Sequence, residues 1–141
     1  MPVTEPLEKR EVITAFLRHE GKILLVKRSE KVGSYQGHWS AISGYLEDPT
    51  PLAQAQREIR EETGLETSNI ELIRCGKPLE IPSPEHHCCW VVHPFLFDIK
   101  APHQIRLDWE NSEFSWVEPA SISNYTTVPM LQEAYRACVV E

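Results

Sequence analysis

Residues 44–65 read Gly44-Tyr45-Leu46-Glu47-Asp48-Pro49-Thr50-Pro51-Leu52-Ala53-Gln54-Ala55-Gln56-Arg57-Glu58-Ile59-Arg60-Glu61-Glu62-Thr63-Gly64-Leu65, the clearest helix signal in the chain and its densest group of acids. At about 100° per residue, Arg57, Glu58, Glu61 and Glu62 fall within an arc of roughly 140°, and Leu52, Ala55, Ile59 and Thr63 form the adjoining apolar stripe. Such a helix buries one edge and carries its carboxylates beside it. Its ends are marked as well: Thr50 is a ready N-cap, Pro51 suits the first helical position, and Gly64 is a C-terminal stop.

Charge runs on helices are usually solvated faces laced with ion pairs, and that is the simplest reading of Arg57-Glu58-x-x-Glu61-Glu62. Two features oppose it. Glu61 and Glu62 fall in the last turn, where the carbonyl end of the macrodipole disfavours anions by ~0.3–1 kcal/mol each. Arg57 ahead of Glu61 is also the weaker order for an i,i+4 pair. A divalent cation reverses both penalties, because clustered carboxylates are what a hard, oxygen-seeking ion requires.

Outward from this helix, the segments Glu11–Arg18 and Lys22–Arg28 read as a strand pair turned at His19-Glu20-Gly21, the first rich in β-branched residues and the second carrying Ile23-Leu24-Leu25-Val26. A polar loop over Ser29–Gly37 leads to a short strand, Trp39–Ser43, that delivers Gly44 to the helix. Further strands are expected at Ile70–Cys75, Leu79–Ile81, Cys88–Ile99 and Glu113–Val117, and a second helix at Val128–Val139. Pro94 inside the long Cys88–Ile99 run implies an edge or a bulge there. This order predicts an α+β arrangement with a mixed sheet between helices. The expected organisation is a loose N-terminal tail over residues 1–10 and one domain over 11–141.

With 141 residues and 41% hydrophobic content, a sizeable core is available. The formal charge of −7 argues against a nucleic-acid polymer as partner, since neutralising phosphates requires a basic surface. No apolar run approaches a membrane span, and the N-terminus lacks the apolar core of a signal peptide. Cys75, Cys88, Cys89 and Cys138 show no Cys-x-x-Cys spacing, so reduced thiols and a cytoplasmic protein are expected. His86-His87-Cys88-Cys89 has the composition of a zinc site but not its spacing, because adjacent residues of an extended chain point to opposite faces.

The run Arg57-Glu58-Ile59-Arg60-Glu61-Glu62-Thr63-Gly64-Leu65, preceded by Gly44-Tyr45-Leu46-Glu47, resembles the signature of the Nudix hydrolases, the MutT-like family. The likeness extends to Lys22–Arg28 before it and Glu113–Val117 after it. One departure stands out. Only 12 residues separate Gly44 from Arg57, one fewer than in the family pattern, and Asp48-Pro49-Thr50 replaces the usual Gly-Glu. The first acidic residue of the signature is therefore absent, which bears on metal affinity and number. Glu47 and Asp48 are nearby acids that could compensate.

The resemblance implies an α/β/α sandwich and a pyrophosphohydrolase that cleaves a nucleoside diphosphate linked to another moiety, with Mg²⁺ or Mn²⁺ as cofactor. Gly44, Glu58, Glu61 and Glu62 are the implied metal ligands, the glycine through its carbonyl. Arg57 is expected to orient a glutamate, since a guanidinium cannot act as a base at neutral pH. The resemblance leaves the general base to a glutamate of the helix, which keeps Glu58 and Glu62 among the catalytic candidates, or to a carboxylate from a later loop, where Glu110 is the first candidate and Glu85 the second. Arg28 is a candidate phosphate contact; Lys27 beside it points to the other face. Tyr35, Trp39, Tyr45, Trp90 and Trp109 are available to stack on a base, and Trp39 is carried as the substrate contact. The expected partner is a nucleotide-type small molecule, and the resemblance adds a homodimer as an option. The shortened loop also motivates an alternative: a catalytically weak module of the same fold that binds, senses or interacts.

Overall fold

The computed structural model describes residues 7–139. Two long strands form its spine: β1 (Glu8–His19) and β7 (Cys88–Ile99) run parallel along eleven registered pairs, from Glu8 opposite Cys88 to Arg18 opposite Asp98. Around them lie β2 (Lys22–Arg28), β3 (Trp39–Ser40), β4 (Ile42–Tyr45), β5 (Ile70–Cys75), β6 (Leu79–Ser83) and β8 (Asn111–Val117). The main path of this mixed eight-stranded sheet is β3-β2-β1-β7-β5, with β4 added to β1, β6 to β7 and β8 to β2.

Two helices cover the two faces. Helix α1 (Pro51–Thr63) and helix α2 (Leu131–Val139) are separated by the sheet, and side-chain alternation along the strands divides the core between them. Ile13, Ala15 and Leu17 of β1, Leu24 and Val26 of β2, and Phe95 and Phe97 of β7 pack with Ala55 and Ile59 of α1. The intervening Phe16, Ile23, Leu25 and Leu96 pack with Leu131, Ala134 and Cys138 of α2. Burial of a side chain such as Ile59, which is fully enclosed, contributes roughly 1.5–3 kcal/mol. The architecture is the expected α+β sandwich.

The ends of α1 follow the sequence signals. Thr50 Oγ1 accepts the N–H of Ala53 at 3.1 Å, Pro51 occupies the first turn, and Gly64 adopts φ 77°, its N–H closing on the Arg60 carbonyl.

Several boundaries differ from those expected. Strand β1 begins at Glu8, so residues 8–10 belong to the sheet, where they pair with Cys88, Cys89 and Trp90; of the expected tail, Leu7 precedes the strand and residues 1–6 lie outside the described residues. The β1/β2 hairpin is registered only at Arg18–Ile23 and His19–Lys22, after which β2 leaves for β8 and β1 takes β4 and β7 as partners. The expected strand at 39–43 is two strands broken at Ala41, because β3 pairs with β2 and β4 with β1. Pro94 is neither on an edge nor in a bulge of its own strand. It sits where the neighbour of β7 changes from β6, which ends its pairing at Val92, to β5, which begins at Phe95, so no ladder partner requires its missing N–H. Helix α2 starts at Leu131, after Pro129 and a Met130 with φ 64°.

Candidate active site

Helix α1 presents its acids on two adjacent lines. Glu58 and Glu62, one turn apart and next to the Ala55/Ile59 stripe, turn inward and are buried; Arg57 and Glu61, one position behind each of them, stay at the surface. The four residues that share one arc on a helical wheel are therefore split between interior and solvent.

A third carboxylate reaches the buried pair from another part of the chain. Glu110 precedes β8, its N–H bonds to Asp108 Oδ1 at 3.0 Å, and its carbonyl accepts the Ser29 N–H at 2.8 Å. One oxygen each of Glu58, Glu62 and Glu110 lies within 4.8 Å of the others. Glu62 is 2% exposed and accepts from Asn111 Nδ2 at 3.0 Å through Oε1, whereas its Oε2 is buried without a partner among the described residues.

This proximity is electrostatically costly. Burial first, then the charges of Glu110 and Glu58, push the Glu62 carboxyl well above the usual carboxylate range. Glu58 is raised by burial and by the charge of Glu61. Burial, with Asp108 and Glu58 nearby, raises Glu110 to about 7. Arg28 offsets part of this negative charge, though burial lowers its own pKa.

A divalent cation fits the arrangement. The orphaned Glu62 Oε2 finds a partner only by taking up a proton, which it can share with Glu58, or by meeting a cation. Hard carboxylate oxygens in a group of three are the donor set that Mg²⁺ or Mn²⁺ favours. Gly44 makes room for it, because a Cβ there would collide with the Glu58 carboxylate.

The cluster opens into a cavity of about 440 Å³ whose lining includes Arg28, Gly44, Glu58, Glu61 and Glu110. Arg28 is fixed by an Nε bond to the Ser34 carbonyl at 2.9 Å, while Lys27 turns away and pairs with Glu113 at 3.4 Å. Tyr35, Tyr45, Trp90 and Trp109 also border the cavity, the last 57% exposed. Trp90 is flanked by Tyr45, at 6.0 Å between ring centroids, and by His86, at 6.3 Å.

The residues expected from sequence are not all assembled here. Glu58, Glu62, Glu110, Gly44 and Arg28 are brought together. Glu61 borders the cavity but lies outside the carboxylate trio, its Oε1 holding Arg57 Nε at 3.0 Å. Arg57 also bonds Asp48 Oδ1 at 3.1 Å, so it ties the loop to the helix; these contacts, Glu61 first, raise its pKa. Trp39 is not a cavity residue. Its neighbour Ser40 lines the cavity, and strand alternation sends Trp39 the other way, onto Tyr125 at 5.2 Å. Glu85 is exposed and bonded to Ser83, belongs neither to the trio nor to the cavity lining, and its pKa is lowered by backbone hydrogen bonding. His86 is held by Ser83 Oγ at 2.8 Å and stacks near Tyr35.

Two residues with direct roles in this geometry were not visible as candidates. Asn111 is a lone amide with no local signal. Gln54 stands one turn before Glu58, an i,i+4 spacing that permits a side-chain bond along the helix.

Comparison with known proteins places this geometry in context. The family model of the NUDIX domain matches residues 8–138. The nucleoside triphosphatase NudI of Escherichia fergusonii is 23% identical over 129 residues, covering 84% of this chain and 89% of the relative. The CTP pyrophosphohydrolase of Escherichia coli is 29% identical over 128 residues, covering 90% of this chain and 91% of the relative. The crystal structure of a MutT protein from Methanosarcina mazei has the same fold, with a TM-score of 0.75 at 22% identity over 94% of each chain.

Proposed function

The chain belongs to the Nudix family and acts as a hydrolase of phosphoanhydride bonds, and from that premise we propose that it is a metal-dependent pyrophosphohydrolase of a nucleoside diphosphate linked to another moiety. Nucleoside triphosphates, where that moiety is phosphate, come first among the substrates, on the strength of the two named relatives. The observation that carries the reading is the trio of Glu58, Glu62 and Glu110, in which Glu62 has an orphaned oxygen and Glu58 and Glu110 line a cavity that also holds Arg28.

Glu58 and Glu62 would hold the cation, with the Gly44 carbonyl and Glu61 as further donors, while Glu110 stands beside them within 4.8 Å. When bound, Mg²⁺ or Mn²⁺ supplies neutralisation of the diphosphate and acidification of an attacking water. The protein's own groups do the rest. Arg28, anchored by Ser34 and permanently charged, pairs with a phosphate oxygen. Glu110, on a loop facing the helix, is the candidate acceptor of the water proton. Arg57 acts at one remove, bracing Glu61 and the loop residue Asp48. Tyr45, Trp90 and Trp109 offer apolar and aromatic surface to the nucleoside end.

Among the described residues no helix is long and apolar enough to cross a membrane. The four cysteines are all free, which supports a reducing, cytoplasmic setting. Whether the protein works as a homodimer is answered by light scattering.

The test is release of phosphate and pyrophosphate, with chromatography of the products, across nucleoside triphosphates, dinucleotides and sugar nucleotides in Mg²⁺ and Mn²⁺, using Glu62→Gln as control. Turnover abolished in the variant supports the hydrolase. Silence across the panel with Mg²⁺ still bound moves the reading to a binding or sensing module.

A further inference from the structure

Gln54 is 1% exposed, and its side-chain amide makes three hydrogen bonds inside the protein. Its Oε1 accepts the backbone N–H groups of Glu47 and Asp48, both at 2.8 Å, and its Nε2 donates to Glu58 Oε1 at 3.1 Å. Two backbone donors converging on one atom fix that atom as the oxygen, because a backbone N–H cannot accept. The nitrogen is therefore compelled to face Glu58.

The contacts fall at the place where the chain departs from its family. The loop between Gly44 and Arg57 is one residue short, and the amides of Glu47 and Asp48 lie within that loop. A loop so shortened needs its own means of reaching the helix in the right position, and Gln54 supplies one from within the first turns of α1. Its other end holds Glu58: Oε1 accepts from the amide and the backbone of Gly44 closes the near side, while the Glu58 carboxylate keeps an oxygen within 4.8 Å of those of Glu62 and Glu110.

We propose that Gln54 is a positioning residue that locks the shortened loop and the metal-binding carboxylate Glu58 into one rigid unit. The inference rests on the metal-dependent reading of the trio and adds to it a residue that touches neither metal nor substrate. Outer partners that orient a ligand typically change metal affinity or activity 10–100-fold when removed.

Mg²⁺ alone, titrated calorimetrically into wild type and Gln54→Met, is the first measurement. Methionine keeps the volume and removes every hydrogen bond, so the expected result is a Kd at least about tenfold weaker, with kcat reduced more than the KM for a nucleoside triphosphate. A Kd unchanged within about twofold, whatever happens to the melting temperature, overturns the assignment and leaves Gln54 a structural residue. Should Gln54→Met fail to fold, Gln54→Glu separates the two ends: its carboxylate, once ionised, still accepts from both amides but cannot donate to Glu58. That variant is expected to fold and to lose kcat about tenfold at saturating Mg²⁺, and wild-type kcat in it overturns the proposal. Wild type that fails to bind Mg²⁺ at all overturns the metal reading and this inference together, whereas wild-type binding matched by Gln54→Met overturns only the inference.

Discussion

Replacing Glu62 by glutamine tests the site through stability as well as rate. In the metal-free protein Glu62 is a buried carboxyl group, 2% exposed, with Oε2 unpartnered and two other carboxyl groups beside it, and burial and those neighbours disfavour its charged form. Glutamine has the same shape, still accepts from Asn111, and carries an N–H₂ that Glu58 can accept. Replacing a buried oxygen that lacks a partner is worth about 1–3 kcal/mol, or a rise in Tm of about 3–10 °C for a domain of this size. Glu62→Gln is thus expected to be more stable than wild type when both are melted in EDTA at pH 8.

Saturating Mg²⁺ reverses the order. Linkage gives wild type about 2.7 kcal/mol at a hundredfold excess over Kd, and the variant, having lost an anionic ligand, gains far less. Its kcat falls about 100-fold. The assays are differential scanning calorimetry with and without Mg²⁺ and the product-release assay under the same conditions. A variant less stable than wild type in EDTA, yet stabilised by Mg²⁺ to the same extent, refutes the reasoning and makes Glu62 a structural residue.

Other consequences follow from the same geometry. Because Glu110 rises from 4.5 to about 7 on folding, the native protein holds a proton that the unfolded chain has released, so metal-free stability is full below about pH 4.5 and falls as pH rises to 7. The undiscounted shift corresponds to about 3 kcal/mol, and solvent screening of a half-exposed group reduces it to roughly 1–2 kcal/mol; a Tm in EDTA that is flat or rising from pH 5 to 8 contradicts the expectation. Gly44→Ala drives a methyl into the Glu58 carboxylate and should cost roughly 1–3 kcal/mol of stability together with most Mg²⁺ binding, measured by melting and calorimetry. Trp109→Ala removes an exposed aromatic at the cavity rim and is expected to raise KM severalfold while sparing kcat, so a loss confined to kcat argues against it as a substrate contact.

What was legible in the sequence is what is encoded locally. The α1 helix, its Thr50 cap, its Pro51 start and its Gly64 stop are each decided by residues within a few positions of one another, and all are found as read. The inward turn of Glu58 and Glu62 was half legible. A wheel places four charged residues on one arc, but which line faces the interior depends on the sheet that the helix packs against. Trp39 and Trp109 are the opposite case. One belongs to a two-residue strand and the other to a loop, so neither has periodicity to assign a face, and the sheet register alone sends Trp39 to the α2 side and leaves Trp109 at the cavity. Asn111 meets Glu62 across 49 positions of chain, a contact that no local pattern records.

The shortened loop raised the question of whether the chain could still hold a metal without the first acid of its signature. The shortened loop makes contacts of its own to the helix and to the site. Asp48 gives Arg57 a carboxylate on the loop side, so the arginine is held at both ends instead of only by Glu61. Gln54 ties the loop amides to Glu58, and Glu110, half-buried, contributes the third acid from another part of the chain. A chain that had given up hydrolysis for binding would relieve the repulsion among Glu58, Glu62 and Glu110 at no cost to its fold, since one Glu→Gln change suffices. Keeping all three, with one oxygen left unpartnered, is disfavoured in the metal-free protein and is relieved by a proton or by a ligand that carries positive charge.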